Sequence, residues 1–280
     1  AGRAAEVVGR LEAAHDEGRE GAVRPTVVLY GALITAWSRC GEGRAGAMAE
    51  GVLERMRIRG IQPNAQCYTS VVLAWGLSGT ASSEGENPPE RIMQLLADMK
   101  NDKILWDDAA YTVAVNALSN FCPERAEPVL RRMQIAIDGR RITCNNFFHS
   151  AVKVLSAWAK LGDVRKVQAL LDTMETVRMK HHFPQKCTQS TKCVNTLLLA
   201  YVKSSAECGE CAYELLLQLV TKYCENEEEE FKPNHRTFEY VLLCLKRSNA
   251  GEARRMTQET VDLAKQELAS SQNDPTHPTI

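Results

Sequence analysis

Apolar residues recur along the chain at spacings of three and four positions, which is the period of one face of an α-helix. The first such set is Tyr30, Leu33, Ile34 and Trp37. Five further sets have the same spacing, and each begins 38 to 44 residues after the one before it. These later sets begin at Tyr68, Tyr111, Ala151, Val194 and Phe238. The pattern predicts six related helices.

A second apolar signature follows each of the first five sets. It reads Leu-x-x-Met where it ends at Met56, Met99, Met133 and Met174, and Leu-Leu-Gln-Leu where it ends at Leu219. Each unit is therefore predicted to be a hairpin of two helices. A hairpin of this size cannot bury its apolar face alone, so neighbouring hairpins must stack. The predicted fold class is all-α, an α-solenoid of about six helix-turn-helix repeats.

The repeats divide the chain into consecutive segments. We expect a partial N-terminal repeat at 1–26, which supplies only a second helix, and a disordered tail at 271–280. The six repeats between them are 27–64, 65–107, 108–147, 148–190, 191–234 and 235–270. Repeat two carries a Gly-, Ser- and Pro-rich insertion at 79–89, which should form a surface loop. Repeats three and four are lengthened after their second helices, where either the helix continues or a loop protrudes.

A polar residue with a side-chain oxygen precedes most of the predicted first helices. Such a residue can accept a hydrogen bond from an unpaired N–H of the first helical turn, so it is a candidate N-cap. The candidates are Thr26, Asn64, Asp107, Thr191 and Asn234.

The composition is that of an ordinary globular protein, with 44% hydrophobic and 25% charged residues among 280. The formal net charge is −1, so no global basic field attracts nucleic acid. Segment 146–190 nevertheless carries a net charge of +4, and a polyanion should prefer this part of the chain. No apolar run approaches the 18 or so residues that span a bilayer, so we expect no membrane partner.

The ten cysteines are scattered, which favours buried thiols in a reducing compartment over a disulfide framework. Cys208 and Cys211 form a C-x-x-C motif, but the neighbouring cysteines and histidines match no standard zinc spacing. Phosphate-binding and nucleophile motifs are absent. We therefore expect no metal site, no cofactor, no catalytic residue and no small-molecule substrate, and we interpret the chain as a non-enzyme.

The aromatic-led first helix, the Leu-x-x-Met of the second helix and the Gly-Ile-Gln-Pro-Asn sequence at 60–64 together resemble the pentatricopeptide repeat family. The resemblance covers nearly the whole chain. The tetratricopeptide repeat is the nearest alternative, but it favours Gly where this chain has Ile34 and Ala where it has Met56. The resemblance implies a right-handed superhelix of a mitochondrial or chloroplast protein that binds single-stranded RNA, roughly one base per repeat.

The resemblance also implies which side chains read the bases. They are the residue just after the leading aromatic and the residue just before the next repeat. Thr69 with Asp107 would read guanine, and Asn195 with Asn234 would read a pyrimidine, cytosine in the first instance.

Further RNA-binding candidates follow from the same register. Asn64 is paired with Gly31, which reads nothing, and Thr112 has a partner that the long loop obscures. Lys192 and Arg236 stand where the family makes base-stacking or flanking contacts, and they also supply positive charge.

Two functions are compatible with these residues. The first is non-catalytic binding of single-stranded RNA in organellar transcript processing, stability or translation, with protein subunits of an organellar ribonucleoprotein as additional partners. The second is a protein-interaction scaffold, for example a subunit of a mitochondrial ribosome. Val152 and Glu239 are poor base readers and favour the scaffold, and Asn64, Asp107 and Asn234 could act as caps without any RNA.

Overall fold

The computed structural model describes residues 1–19, 24–78, 87–142, 146–184, 186–204, 208–226, 228–248 and 253–272, all of them in helices or in the turns between helices. The helices are α1 (Gly2–Asp16), α2 (Val27–Ser38), α3 (Ala45–Ile58), α4 (Ala65–Leu77), α5 (Pro88–Asn101), α6 (Asp108–Ser119), α7 (Pro123–Asp138), α8 (Phe147–Leu161), α9 (Val164–Lys180), α10 (Lys186–Gln189), α11 (Thr191–Lys203), α12 (Gly209–Asn226), α13 (His235–Leu245) and α14 (Ala253–Gln272). A short 3₁₀ turn, Glu229–Phe231, lies between α12 and α13.

The chain divides into two compact units, Ala1–Val154 and Leu155–Ile280. In both units the first helices of successive hairpins pack against each other, α2 on α4, α4 on α6, and α11 on α13. A second helix packs against the first helix of its own hairpin and against that of the next, as α3 does with α2 and α4. The all-α repeat fold predicted from the spacing is confirmed.

The predicted apolar stripe forms the core. All of its residues are buried except Tyr111, Val194, Tyr201 and Leu242, which are partly buried. The residues that end the second-helix signatures are also buried, with Met56, Met133 and Met174 at 0% exposure. Burial of this surface is the main favourable contribution to stability.

Small residues allow neighbouring first helices to approach closely. A Cβ on Gly76 of α4 would lie 2.6 Å from the Cβ of Ala117 in α6. Ala117 and the equivalent Ala74 and Ala200 are buried. The small residue that recurs six positions after the start of each apolar set therefore lies, in α6, at a close contact between helix backbones.

Four of the five predicted N-caps are confirmed. The side chains of Thr26, Asn64, Asp107 and Asn234 accept hydrogen bonds from the first turns of α2, α4, α6 and α13. The prediction that Thr191 caps a helix is wrong. Ser190 precedes α11, whereas Thr191 is buried in the first turn and donates from its Oγ1 to the carbonyl of Lys232 at 2.9 Å.

The lengthening of repeat four is extra helix, whereas α7 of repeat three ends at Asp138 and residues 143–145 after it lie outside the described part of the chain. After repeat four, α9 continues to Lys180 and the four-residue α10 follows before α11 begins. Of the insertion at 79–89, Asn87 precedes α5 and its two prolines begin that helix, while residues 79–86 lie outside the described part of the chain. The last helix reaches Gln272, two residues into the segment that was expected to be a tail.

Arginine–carboxylate pairs join successive second helices of the first unit. The pairs are Arg55 with Glu12 (2.8 Å), Arg59 with Asp16 (2.6 Å), Arg91 with Glu50, and Arg125 with Glu90 (3.2 Å). Because most of these side chains are partly exposed, solvent screens the pairs and each contributes little to stability. Their larger effect is to neutralise the arginines on this side of the unit.

The leading tyrosines extend the same network into the core. The Tyr30 hydroxyl donates to Glu12, and the Tyr68 hydroxyl donates to Asp102 while accepting from Arg57. Burial, together with the hydrogen-bonded carboxylate, raises the pKa of both tyrosines to about 12. Both hydroxyls therefore remain protonated donors at neutral pH.

We predict that Gly76→Ala destabilises the protein by about 1–3 kcal/mol, because the new methyl group would overlap Ala117. Gly51→Ala is the matched control. Gly51 is exposed on α3 and no other atom lies within 4 Å of where the new methyl group would sit, so its replacement should stabilise the helix by about 0.5–1 kcal/mol. Urea unfolding followed by circular dichroism measures both. Shifts of the same sign would contradict the close contact.

Candidate nucleic-acid interface

A groove of about 1420 Å³ lies in the second unit, between the start of α11 and the start of α13. Its lining includes Lys192, Asn195, Asn234 and Arg236, which are four of the eight residues predicted to bind RNA. Leu199 and other apolar side chains line the same groove. The second unit therefore combines cations, amides and apolar surface in one concave site.

The predicted reading pair of this unit is in direct contact. Asn195 donates from its Nδ2 to the Oδ1 of Asn234 at 3.2 Å. The same Oδ1 accepts from the backbone N–H groups of Arg236 and Thr237, at 3.1 and 3.3 Å, and the Thr237 hydroxyl accepts from the backbone N–H of Asn234. This capping box fixes the orientation of the Asn234 amide.

Capping and base recognition are compatible in this geometry. The cap occupies the oxygen of Asn234, so its NH₂ group is left to present donors. Asn195 keeps one further N–H, and its Oδ1 is shielded from solvent with no hydrogen-bond partner among the described residues. The pair can thus offer N–H donors to a base edge, whereas the shielded Oδ1 of Asn195 is out of reach in this conformation.

The charges in the groove are balanced. Lys192, Lys232 and Arg236 line it together with Glu229, Glu230 and Glu239. Lys192 and Arg236 are exposed, whereas Lys232 lies 3.7 Å from Glu229. Non-specific attraction of phosphates is therefore weak here, and contacts with individual groups must supply most of the affinity.

The other four predicted residues lie in the first unit, at the starts of α4 and α6. Asn64 and Asp107 each use one side-chain oxygen as a cap, on Cys67 N–H (3.0 Å) and Ala110 N–H (2.8 Å). The hydroxyls of Thr69 and Thr112 donate to backbone carbonyls of their own helices, at 3.1 and 2.7 Å. Both threonine oxygens therefore keep their acceptor lone pairs.

Two residues were missed by sequence reasoning. Asn146 directly precedes α8, in the place where the partner of Thr112 was obscured, and it donates to the carboxylate of Asp108 at 3.0 Å. Only the observed start of α8 reveals this, because the preceding segment contains two adjacent asparagines. Tyr240 lines the groove of the second unit, although the apolar pattern does not distinguish it from core residues.

At one position of the repeat the two units differ in charge. This position lies two residues before the start of an apolar set. In α2, α4 and α6 it is occupied by the exposed, uncharged side chains Val28, Gln66 and Ala109. It is Lys192 in α11 and Arg236 in α13, also exposed. Among these positions only the second unit offers cations to a polyanion.

The C-x-x-C motif does not form part of a metal site in the described residues, where no three His, Cys, Asp or Glu side chains could hold an ion together. No disulfide joins the cysteines within those residues. None of the described helices is both long and apolar enough to cross a bilayer.

The described residues combine stacked two-helix hairpins, a buried apolar stripe on the first helices and side-chain caps on α2, α4, α6 and α13. The chain is an all-α helical-repeat protein. Among solved structures it is similar to the crystal structure of the pentatricopeptide repeat protein PPR10 from maize, with a TM-score of 0.49 and 16% sequence identity. The match covers 98% of this chain and 42% of that one, so the chain spans less than half of the maize protein.

Comparisons of the sequence itself gave no match, either to protein-family models or to curated proteins.

Helix α10 borders the groove through Cys187 and is held to α9 by a charged contact. Glu175 of α9 accepts from Arg178 and from the hydroxyl of Thr188 in α10, at 2.6 and 2.7 Å. The hydrogen bond from Arg178 is the main cause that lowers the pKa of Glu175 to about 2. The carboxylate therefore stays ionised in the folded protein well below the pH at which it would be protonated in an unfolded chain.

We predict that Glu175→Gln lowers stability at pH 7 by roughly 1 kcal/mol, since the carboxylate is over a third exposed and screened by solvent. A depressed pKa contributes stability above the unfolded value of 4.5, and this contribution is lost as the pH falls toward 2. Thermal unfolding across that range should show the two proteins converging. Asp172→Asn, an exposed site on the same helix, should show no such convergence; if it does, the effect is not specific to Glu175.

Proposed function

We propose that this protein binds single-stranded RNA without catalysing a reaction, and that it acts in organellar RNA metabolism such as transcript processing, stability or translation. The observation that carries the proposal is the groove of the second unit, which collects Lys192, Asn195, Asn234 and Arg236. Protein subunits of an organellar ribonucleoprotein are proposed as additional partners. The organellar location rests on the family resemblance alone.

In the proposed complex, Lys192 and Arg236 contact phosphates and the two asparagines contact a base. Lys192 and Arg236 are exposed at the groove, as phosphate contacts require. Cytosine and uracil each present acceptors on their Watson–Crick edge, which match the N–H groups of the pair. Tyr240 offers an aromatic ring on which a neighbouring base can stack.

The pairs of the first unit favour a different base. Asp107 offers only acceptors once ionised, and the Thr69 hydroxyl keeps its acceptor lone pairs because its proton is used within the helix. Guanine presents N–H donors on its Watson–Crick edge, so it fits this pair best. The pair of Asn64 with Gly31 is assigned a weaker role, since glycine has no side chain to contribute. The pair of Thr112 with Asn146 is also assigned a weaker role, since Asn146 donates to Asp108.

A protein-binding role for the first unit is the second candidate. The positions along one solvent-accessible face of α2, α4 and α6 carry no charge. These positions are Val28, Gly31, Thr35, Gln66, Thr69, Leu73, Ala109, Thr112 and Asn116. Val28 is 80% exposed and Leu73 is 38% exposed, which suits contact with a protein better than contact with phosphates.

We predict that Asn195→Ala and Lys192→Ala weaken RNA binding in different ways. With oligonucleotides selected from a randomised single-stranded pool, Asn195→Ala should reduce the preference for a pyrimidine at one position by about tenfold or more. Lys192→Ala should weaken binding to every sequence several-fold and make the salt dependence shallower by about one phosphate contact. Equilibrium binding at several salt concentrations measures both effects.

Lys203→Ala serves as the control for charge, because Lys203 is exposed on the same helix but lies outside the groove lining. It should leave affinity within about twofold of the unchanged protein, as expected for a cation that touches no phosphate. An unaltered base preference in Asn195→Ala would count against the proposed reading pair.

Ultraviolet crosslinking of bound RNA separates the two candidate roles of the first unit. If RNA occupies both units, crosslinked peptides should come from α4 and α6 as well as from α11 and α13. If the uncharged face binds protein instead, crosslinks should be confined to α11 and α13. We expect the strongest crosslink at Tyr240, because aromatic rings stacked on bases lie closest to them.

A further inference from the structure

The acidic run at 225–230 is divided by the fold. Glu229 and Glu230 line the groove of the second unit, whereas Glu225 and Glu228 are exposed but do not contribute to its lining. All four belong to one short stretch of sequence. Two glutamates therefore lie at the proposed RNA site, and two chemically equivalent ones do not.

The segment that follows Glu229 and Glu230 is firmly anchored. Phe231 is buried, at 2% exposure. The next carbonyl, that of Lys232, accepts from the Thr191 hydroxyl of α11 at 2.9 Å, and the Lys232 ammonium lies 5.8 Å from the ring centroid of Tyr223. The two glutamates are thus held at the groove by a fixed turn and belong to its wall.

This wall opposes the cations that would hold phosphates. Lys192 and Arg236 line the same groove, and Glu229 also pairs with Lys232 at 3.7 Å, which reduces the charge that Lys232 can offer. A ligand that depends on phosphate contacts alone meets as many carboxylates as cations. A ligand that also bonds the asparagine pair gains energy that the carboxylates do not oppose.

We propose that Glu229 and Glu230 are specificity-determining residues of the groove. They suppress electrostatic capture of polyanions, so that retention of RNA depends on base contacts with Asn195 and Asn234. This proposal rests on the proposed RNA-binding function. It assigns to Glu229 and Glu230 a role in discriminating between RNA ligands, which their position in the sequence alone does not reveal.

The test compares two double variants with the same change in charge. Glu229→Gln/Glu230→Gln should bind an all-adenine RNA, which lacks the preferred base, about three- to tenfold more tightly at low salt, since two repulsive charges near the phosphates are removed. The gain should disappear near 0.5 M salt, where screening is strong. Glu225→Gln/Glu228→Gln should gain less than about twofold. Fluorescence anisotropy measures affinity, and circular dichroism checks folding.

The outcomes separate this proposal from the function on which it rests. Unchanged affinity in the first double variant, or an equal gain in the second, would overturn the proposal while leaving RNA binding in place. RNA binding too weak to measure in the unchanged protein and in all variants would overturn both. A gain confined to Glu229→Gln/Glu230→Gln and removed by salt supports the acidic wall as a selective element.

Discussion

A single hairpin cannot bury the apolar stripe of its first helix, so neighbouring hairpins must stack, and the rest of the structure depends on this requirement. The stripes of α2, α4, α6, α11 and α13 are each packed against a second helix on either side, which contributes to covering them. Local stability is then set by contacts between nearest neighbours, as in other solenoids. Gly76 against Ala117 shows how closely the helices must approach for the stripes to be covered.

The ends of the first helices give a second constraint, which connects folding with recognition. Asn64, Asp107 and Asn234 must each satisfy a backbone N–H, and this requirement fixes which side-chain atoms remain for a ligand. An asparagine cap presents N–H donors, and an aspartate cap presents acceptors only. The cap thus orients the recognition group before any ligand arrives, which reduces the entropy lost on binding.

Long-period features of the fold could be predicted from the sequence, and short segments could not. The six apolar sets and the Leu-x-x-Met signatures repeat often enough to define helices and their buried faces. Helix α10 has only four residues, and its position depends on Glu175 and Lys222, which are distant in sequence. The start of α11 was mispredicted by one residue. Ser190 and Thr191 are adjacent and both polar, so the sequence alone does not show which of them precedes the helix.

The candidate site was also predictable from the sequence in part only. The Asn195–Asn234 contact could be anticipated from the resemblance, because both residues occupy fixed places in the repeat. Asn146 could not, since it becomes recognisable only once the start of α8 is known. The opposition of Glu229 and Glu230 to Lys192 was equally hidden, because nothing in a linear charge pattern tells which members of an acidic run reach a groove.

Four arginine–carboxylate pairs of the first unit share a direction along the chain. In the pairs of Arg55, Arg59, Arg91 and Arg125, the arginine belongs to the later helix and the carboxylate to the earlier one. Arg57 makes the reverse pair, since it belongs to α3 and lies 3.7 Å from Asp98 of α5 and 3.5 Å from Asp102. Charges of both signs therefore connect α3 with α5, and a substitution that removes one of them affects the neighbouring hairpin as well as its own.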